Sequence, residues 1–301
     1  MSPLMTRRLN YSSINELLAP YARRAQEDMR RWLVPEGTPD ELARAMEYCA
    51  LQGGKRLRPA LVYLCAESLN QVTDEDLLSR SASSVEFVHC YSLVHDDLPA
   101  MDVDVLRRGA PTAHVQFGEA MAILAGDALL TRAFEILACP KAQAPALIGE
   151  LASAAGGAGM IAGQVADMKL CDVPKGLDGL DYIHLRKTAA IIQAACRMGA
   201  IAANVNDSQL EAIGRYGRAL GLAFQTVDDL LDATASADDL GKTPGKDAAA
   251  GKRTHLAELG MGPARDRVSQ LSQEAVEAVS GLGDSAWTLR ELATLLERRS
   301  H

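Results

Sequence analysis

Apolar residues return at three- and four-residue intervals along almost the whole chain, and that period belongs to helices. It runs through segments near 12–33, 40–51, 59–69, 74–98, 119–138, 144–168, 178–204, 207–233, 262–281 and 284–298. Pro35, Pro39, Pro59, Pro111, Pro140, Pro174, Pro244 and Pro263 fall mostly between those segments, where helix ends belong. No window of polar–apolar alternation is long enough for a strand. Composition agrees, since aromatics are only 4% and Ala, Leu, Met and Glu are frequent. The reading is one all-α domain of roughly ten helices over residues 1–301, with no internal repeat or long linker.

Hydrophobic residues make up 48% of the chain, enough for a sizeable core. The formal charge of −8 argues against a nucleic-acid partner, which would need a basic face. Cys49, Cys65, Cys90, Cys139, Cys171 and Cys196 are scattered without a C-x-x-C pair and read as buried thiols in a reducing cytosol. No signal-peptide pattern opens the sequence. The best membrane-span candidate, Thr188 to Val205, is interrupted by Gln193 and Arg197. A soluble, cytoplasmic protein without a stable membrane anchor is the expectation.

The sharpest chemical signal is Phe224-Gln225-Thr226-Val227-Asp228-Asp229-Leu230-Leu231-Asp232. Taking Gln225 as i, the three Asp residues fall at i+3, i+4 and i+7, one face of a helix whose other faces are apolar. Carboxylates at that spacing repel unless a cation sits between them, and hard oxygen donors suit Mg²⁺. The bland alternative is a solvated acidic face. A second cluster weighs against it: His95-Asp96-Asp97-Leu98-Pro99-Ala100-Met101-Asp102 ends the apolar segment Val85–Leu98, with Pro99 set to stop the helix. Two such clusters facing one another could hold several Mg²⁺ ions around one diphosphate.

Bases accompany the acids. Gly53-Gly54-Lys55-Arg56-Leu57-Arg58-Pro59 is a turn carrying three cations, Arg107-Arg108 follow the first Asp cluster, and Lys187-Thr188 begin an apolar helix. Singly each is more often surface charge. Together they suggest two anion sites, one neutralised by metal and one by Lys and Arg directly.

With Gly163-Gln164 and Leu240-Gly241-Lys242 added, these motifs resemble the trans-prenyl diphosphate synthases, most nearly the bacterial farnesyl diphosphate synthases, in the right order over nearly the whole chain. The resemblance implies a single-domain helical bundle of the isoprenoid synthase type around a deep central cavity, usually a homodimer. It implies that isopentenyl diphosphate is joined to an allylic diphosphate with the help of Mg²⁺, three ions per site. Asp96 and Asp102 match principal metal ligands with Asp97 in support, and Asp228 matches the principal ligand of the second motif with Asp229 and Asp232 nearby. Arg107, Lys187, Lys242 and Lys252 match the allylic diphosphate site, and Lys55, Arg58, His89 and Arg108 the metal-free isopentenyl diphosphate site. The carbonyls of Lys187 and Gln225 and the Thr188 hydroxyl would face the developing cation.

Some positions depart from the pattern. Val103 and Val105 stand where relatives often carry Asp, and His255-Leu256 stand where a Tyr-Pro pair is common. Arg298 and Arg299, near the end of the sequence, are candidates for closing the second site. One rival is a terpene cyclase, which usually has an Asn-Ser-Glu type second motif and lacks the Gly-Gly-Lys-x-x-Arg turn. Another is a di-iron bundle, for which Glu86-x-x-His89 and Asp181-x-x-His184 are the nearest matches. A third is a non-catalytic subunit, which tends to lose an Asp motif. Chain length turns on what lies one or two turns below Asp96, at about 5.4 Å per turn. Ser92 is small and Tyr91 bulky. In the resembled synthases, an aromatic here goes with two extra residues between Asp97 and Asp102 and with C15 products. If Tyr91 instead packs sideways, the cavity floor lies deeper and geranylgeranyl diphosphate results.

Overall fold

The computed structural model describes residues 11–234 and 254–299, and among these the regular structure is helical but for one short hairpin. The helices in order are α1 (Ile14–Trp32), α2 (Asp40–Leu51), α3 (Leu57–Ser68), α4 (Glu75–Asp96), α5 (Ala113–Phe117), α6 (Glu119–Leu137) and α7 (Ala144–Ala155). They continue as α8 (Met160–Asp167), α9 (Gly176–His184), α10 (Ala190–Ala202), α11 (Asp207–Thr234), α12 (His255–Leu259), α13 (Met261–Ala278) and α14 (Trp287–Arg298).

Their ends carry the expected devices. The Ser13 hydroxyl accepts from the Glu16 amide at the start of α1, and the Asp74 carboxylate accepts from the Leu77 amide at the start of α4. Helix α4 stops at Asp96, and Pro99 lies just beyond it. Centrally, α10 packs on α3, α7 and α11, while α4 packs on α6 and α11 on α13. Nine of the thirteen residues of α10 are buried, which explains why its sequence is apolar all round rather than striped.

The structure differs from the periodicity in three places. The apolar stretch 144–168 is two helices, because Gly156–Gly159 interrupt it. By length and composition alone, Ala144–Asp167 would suffice to cross a membrane, a property the sequence reading assigned to no segment. The stretch 178–204 contains a π-turn, Leu185–Ala189, between α9 and α10. Finally, Leu106–Arg107 (β1) pairs antiparallel with Ala110–Pro111 (β2), a hairpin where a loop was expected. The cysteines are all free. Cys65, Cys90 and Cys196 are buried as expected and Cys49 and Cys139 partly so, but Cys171 is exposed, since it lies in the link between α8 and α9.

Tyr216 shows how the last helix is docked. Its ring is fully buried on α11 and its hydroxyl donates to the Leu289 carbonyl of α14 at 2.9 Å. Removing that hydroxyl leaves a buried carbonyl without its donor. Tyr216→Phe should therefore lower the unfolding free energy by about 1–2 kcal/mol in a urea titration, without altering helical content.

Candidate active site

The glycine turn before α3 is built to present cations. Gly53 and Gly54 take φ of 47° and 112°, and Arg56 a left-handed φ of 48°. A Cβ on Gly54 would lie 2.7 Å from the Arg108 guanidinium, so glycine is what lets that side chain lie across the turn. Arg108 donates from Nη1 to the Gln52 and Gly53 carbonyls at 2.7 and 2.6 Å. Arg56 points inward instead. It meets Glu86 of α4 at 2.9 Å, with both side chains at 2–3% exposure, and also donates to Ala50 O and Gln26 Oε1. With Arg56 buried, Lys55 stays exposed and Arg58 turns toward the interior, its buried Nε unpartnered.

His89 lies one turn beyond Glu86 on α4. Burial, reinforced by Arg58, Arg108, Arg107 and Arg56, holds its pKa well below the usual histidine range. A neutral imidazole that feels the charge of four guanidinium groups suits an anion. The same geometry removes the di-iron reading: Glu86 is committed to Arg56, and the surroundings of His89 repel cations.

The β1–β2 hairpin then separates two adjacent arginines. Arg108 and Gly109 form its turn with φ of 53° and 79°. Arg108 goes to the glycine turn, while Arg107 goes the other way and donates from Nε to Asp97 Oδ2 at 2.8 Å in a two-pronged pair. Asp97 is only 3% exposed, so its charge is already matched by Arg107. Asp96 is different. Burial, with Asp102 and Asp97 acting in the same sense against Lys187 and Arg107, raises its pKa to about 6. Asp102 folds back toward the helix end, its amide donating to the Asp96 carbonyl at 2.8 Å.

The π-turn brings in the second cluster. A π-turn carries one residue more than an α-helical turn and so pushes backbone out of the helical ladder. Here it carries Lys187 and Thr188. Helix α8 presses against it so closely that a Cβ on Gly163 would lie 2.2 Å from the Lys187 amide. Lys187 Nζ pairs with Asp167 at 2.6 Å, while both amide ends of Gln164 are buried without a partner. The Thr188 hydroxyl donates to Gln225 Oε1 at 2.8 Å, and Gln225 Nε2 donates to Asp229 Oδ1 at 3.0 Å.

Asp229 therefore leaves the acidic face on which its spacing placed it. It is 5% exposed, and its second oxygen accepts from the His255 amide at 2.8 Å. Burial opposes its charge, but His255, His184 and Gln225 hold its pKa below the usual carboxylate range. His255 is fully buried, with Nδ1 3.2 Å from Thr226 Oγ1 and Nε2 3.3 Å from Asp181 Oδ1. The Thr226 hydroxyl gives its proton to Leu222 O, and a carboxylate only accepts, so both ring nitrogens of His255 donate. Burial works against that imidazolium, yet Asp181 and Asp229 raise its pKa. His184, Asp229 and His255 offer ligand atoms within 4.8 Å of one another, but a ring donating from both nitrogens has no lone pair for a metal. Asp228 and Asp232, both partly exposed, remain the second-cluster carboxylates placed to reach a cation.

Among the chain-length candidates, the Ser92 hydroxyl donates to the His89 carbonyl at 2.9 Å. Tyr91 is 6% exposed, its ring edge-on to His95 at 5.7 Å, and burial with Asp96 raises its pKa to about 12. Arg299 lines an apolar cleft together with Lys55, Phe224 and Leu296. Lys242 and Lys252 lie outside the described residues. The sequence reading passed over Arg56–Glu86, and it noted Asp181 and His255 without connecting them.

The polyprenyl synthetase family model matches residues 39–281. The chain belongs to the polyprenyl synthetase family. It is 42% identical over 287 residues to the farnesyl diphosphate synthase of Escherichia coli, covering 91% of this chain and 94% of that one. It is also 42% identical over 271 residues to geranylgeranyl pyrophosphate synthase 7 of Arabidopsis thaliana, with 87% and 78% covered. Among solved structures, a Helicobacter pylori geranyltransferase complexed with magnesium and isoprenyl diphosphate superposes with a TM-score of 0.78 at 32% identity, covering 96% and 98%. The polyprenyl synthetase bundle is thus the frame in which these residues meet.

A proton on Asp96 competes with any cation, and its raised pKa sets where. Above pH 6 the carboxylate is charged and cation affinity is flat; below pH 6 the apparent affinity of the protein for Mg²⁺ should fall by up to about tenfold per pH unit in titration calorimetry.

Proposed function

We propose that this trans-prenyltransferase condenses isopentenyl diphosphate with dimethylallyl and then geranyl diphosphate, and that its main product is the C15 farnesyl diphosphate. What carries the reading is the division of the site into two anion-binding halves. One is crowded with carboxylates around Asp96 and needs a cation; the other, around His89, is supplied with arginine and needs none. Lys187, Thr188 and Gln225 join this site through the Thr188–Gln225 hydrogen bond and the Lys187–Asp167 pair.

The carboxylates left for a cation fit magnesium, with Asp96, Asp102 and Asp228 as principal ligands, Asp232 beside them, Asp97 and Asp229 in support from behind through Arg107 and Gln225, and three ions per site. Bound there, the metal supplies positive charge to the diphosphate that departs. Arg107 and Lys187 grip that diphosphate, exchanging their Asp97 and Asp167 partners for phosphate oxygens, with Lys242 and Lys252 as further bases for it. The allylic carbon–oxygen bond breaks with its electron pair going to diphosphate. The Thr188 hydroxyl oxygen, Gln225 Oε1 and the Lys187 carbonyl face the positive carbon left behind. Lys55, Arg58, His89 and Arg108 hold isopentenyl diphosphate, whose double bond attacks that carbon. A proton then leaves, taken by the departing diphosphate, and a new double bond forms.

A homodimer in the cytoplasm is the working state we infer. In support, Val115 of α5 and Ile123 and Leu124 of α6 are exposed, an apolar strip that a second copy could cover.

Incubation with labelled isopentenyl diphosphate and each allylic starter, followed by sizing of the products, tests the reaction. A product formed without isopentenyl diphosphate would point to a cyclase instead. Arg58→Ala should raise the KM for isopentenyl diphosphate by at least about tenfold and leave the allylic KM alone. The reverse pattern would exchange the two sites.

Length is set by Tyr91 on this reading. Its side chain is buried one and a half turns below Asp96 and feels the Asp96 charge, which suits a floor near the clusters. Tyr91→Ala should shift the products to C20 and beyond on chromatography. An unchanged C15 distribution would assign the floor elsewhere.

A further inference from the structure

A glutamine beside a developing cation helps only if its oxygen, not its NH₂ group, faces the charge. The two ends of an amide are nearly the same size, so shape alone does not choose between them. Asp229 chooses here. Its carboxylate only accepts, so the Gln225 NH₂ must face it at 3.0 Å, and Oε1 is left toward Thr188. That choice holds only while Asp229 keeps its rotamer. Thr254 caps α12, its hydroxyl accepting from the Ala257 amide, and so brings the His255 amide to Asp229 Oδ2. The His255 ring fills the space behind, Nδ1 lying 3.4 Å from the same oxygen. Asp181 anchors the ring from the far side and is itself held by Arg267 through both carboxylate oxygens at 2.7 Å.

We infer that His255 and Asp181 are positioning residues, which act through Asp229 to keep the Gln225 amide oxygen turned toward the reacting carbon. This rests on the reading of Gln225 given above. The line runs from Arg267 through Asp181 to the His255 ring, whose Nδ1 lies 3.4 Å from Asp229, and on through Gln225 to Thr188, joining α13, α9, α12, α11 and the π-turn. His255 is one of the positions where this chain departs from the Tyr-Pro common among the synthases it resembles, so the arrangement belongs to this sequence. A tyrosine has one polar atom to offer, whereas the imidazole ring sets one nitrogen 3.3 Å from Asp181 and the other 3.4 Å from Asp229.

The test is a double-mutant cycle. His255→Phe should lower kcat about tenfold, while the allylic KM and the Mg²⁺ half-saturation stay within about threefold. In a Gln225→Met background, where no amide remains to be oriented, the same change should cost nothing further. Asp181→Asn, at a partly exposed position, should give a smaller loss that also vanishes in that background, and it stands in for His255→Phe if the latter does not fold. Equal losses in both backgrounds, or a rise in the Mg²⁺ requirement that accounts for the lost rate, would overturn the inference. A Gln225→Met enzyme with undiminished kcat would instead overturn the role of Gln225 itself.

Discussion

One buried ion pair sets the stage for the arginine half of the site. Arg56 reaches Glu86, Ala50 O and Gln26 Oε1 with almost no exposure, and so joins α1, α2 and α4 at the entrance to α3. A guanidinium taken out of water is costly, on the order of several kcal/mol, and that cost is offset only when its donors are used. Arg56 uses them on three elements at once. The left-handed turn it closes is what leaves Lys55 outside and aims Arg58 inward. Without the pair, that turn would be a flexible glycine loop with three mobile charges.

Electrostatic crowding divides the interior along a line the net charge conceals. A chain of formal charge −8 still exposes one buried imidazole to the positive charge of four guanidinium groups. On the other side burial, with Asp102 and Asp97 acting in the same sense, raises the pKa of the Asp96 carboxyl group to about 6. Neither arrangement stabilises the ligand-free protein, since each keeps like charges together in poorly solvated surroundings. Both would become favourable if a diphosphate and its cations bound as proposed, the pattern found where function sets the charges and packing elsewhere meets the cost.

Much of this could be read from the sequence, for identifiable reasons. Helix α11 announced itself because its period is unbroken and its Asp residues interrupt an apolar background. The first Asp cluster did so because Pro99 marks the end of α4. The π-turn left no such mark: Leu185–Ala189 has ordinary helical composition, and the extra residue is imposed by the contact between Gly163 and Lys187. Asp229 was assigned to the same face as Asp228 and Asp232 because spacing gives only the direction of Cβ. Where the carboxylate points was decided by His255, 26 residues away in sequence and on another helix. The hairpin carrying Arg107 and Arg108 was missed because its strands are two residues each, too short for alternation to register.

That hairpin has a consequence for the reaction it serves. Neighbouring α-carbons across a trans peptide are about 3.8 Å apart, whatever the rest of the protein does. Arg107 and Arg108 sit on either side of such a peptide, one engaged at the carboxylates and the other at the glycine turn. The two halves of the site are therefore surveyed from a single fixed baseline. A residue inserted between these arginines would throw the halves out of register even if every charged group were kept, whereas the same insertion nearer the tip of a long loop would pass unnoticed.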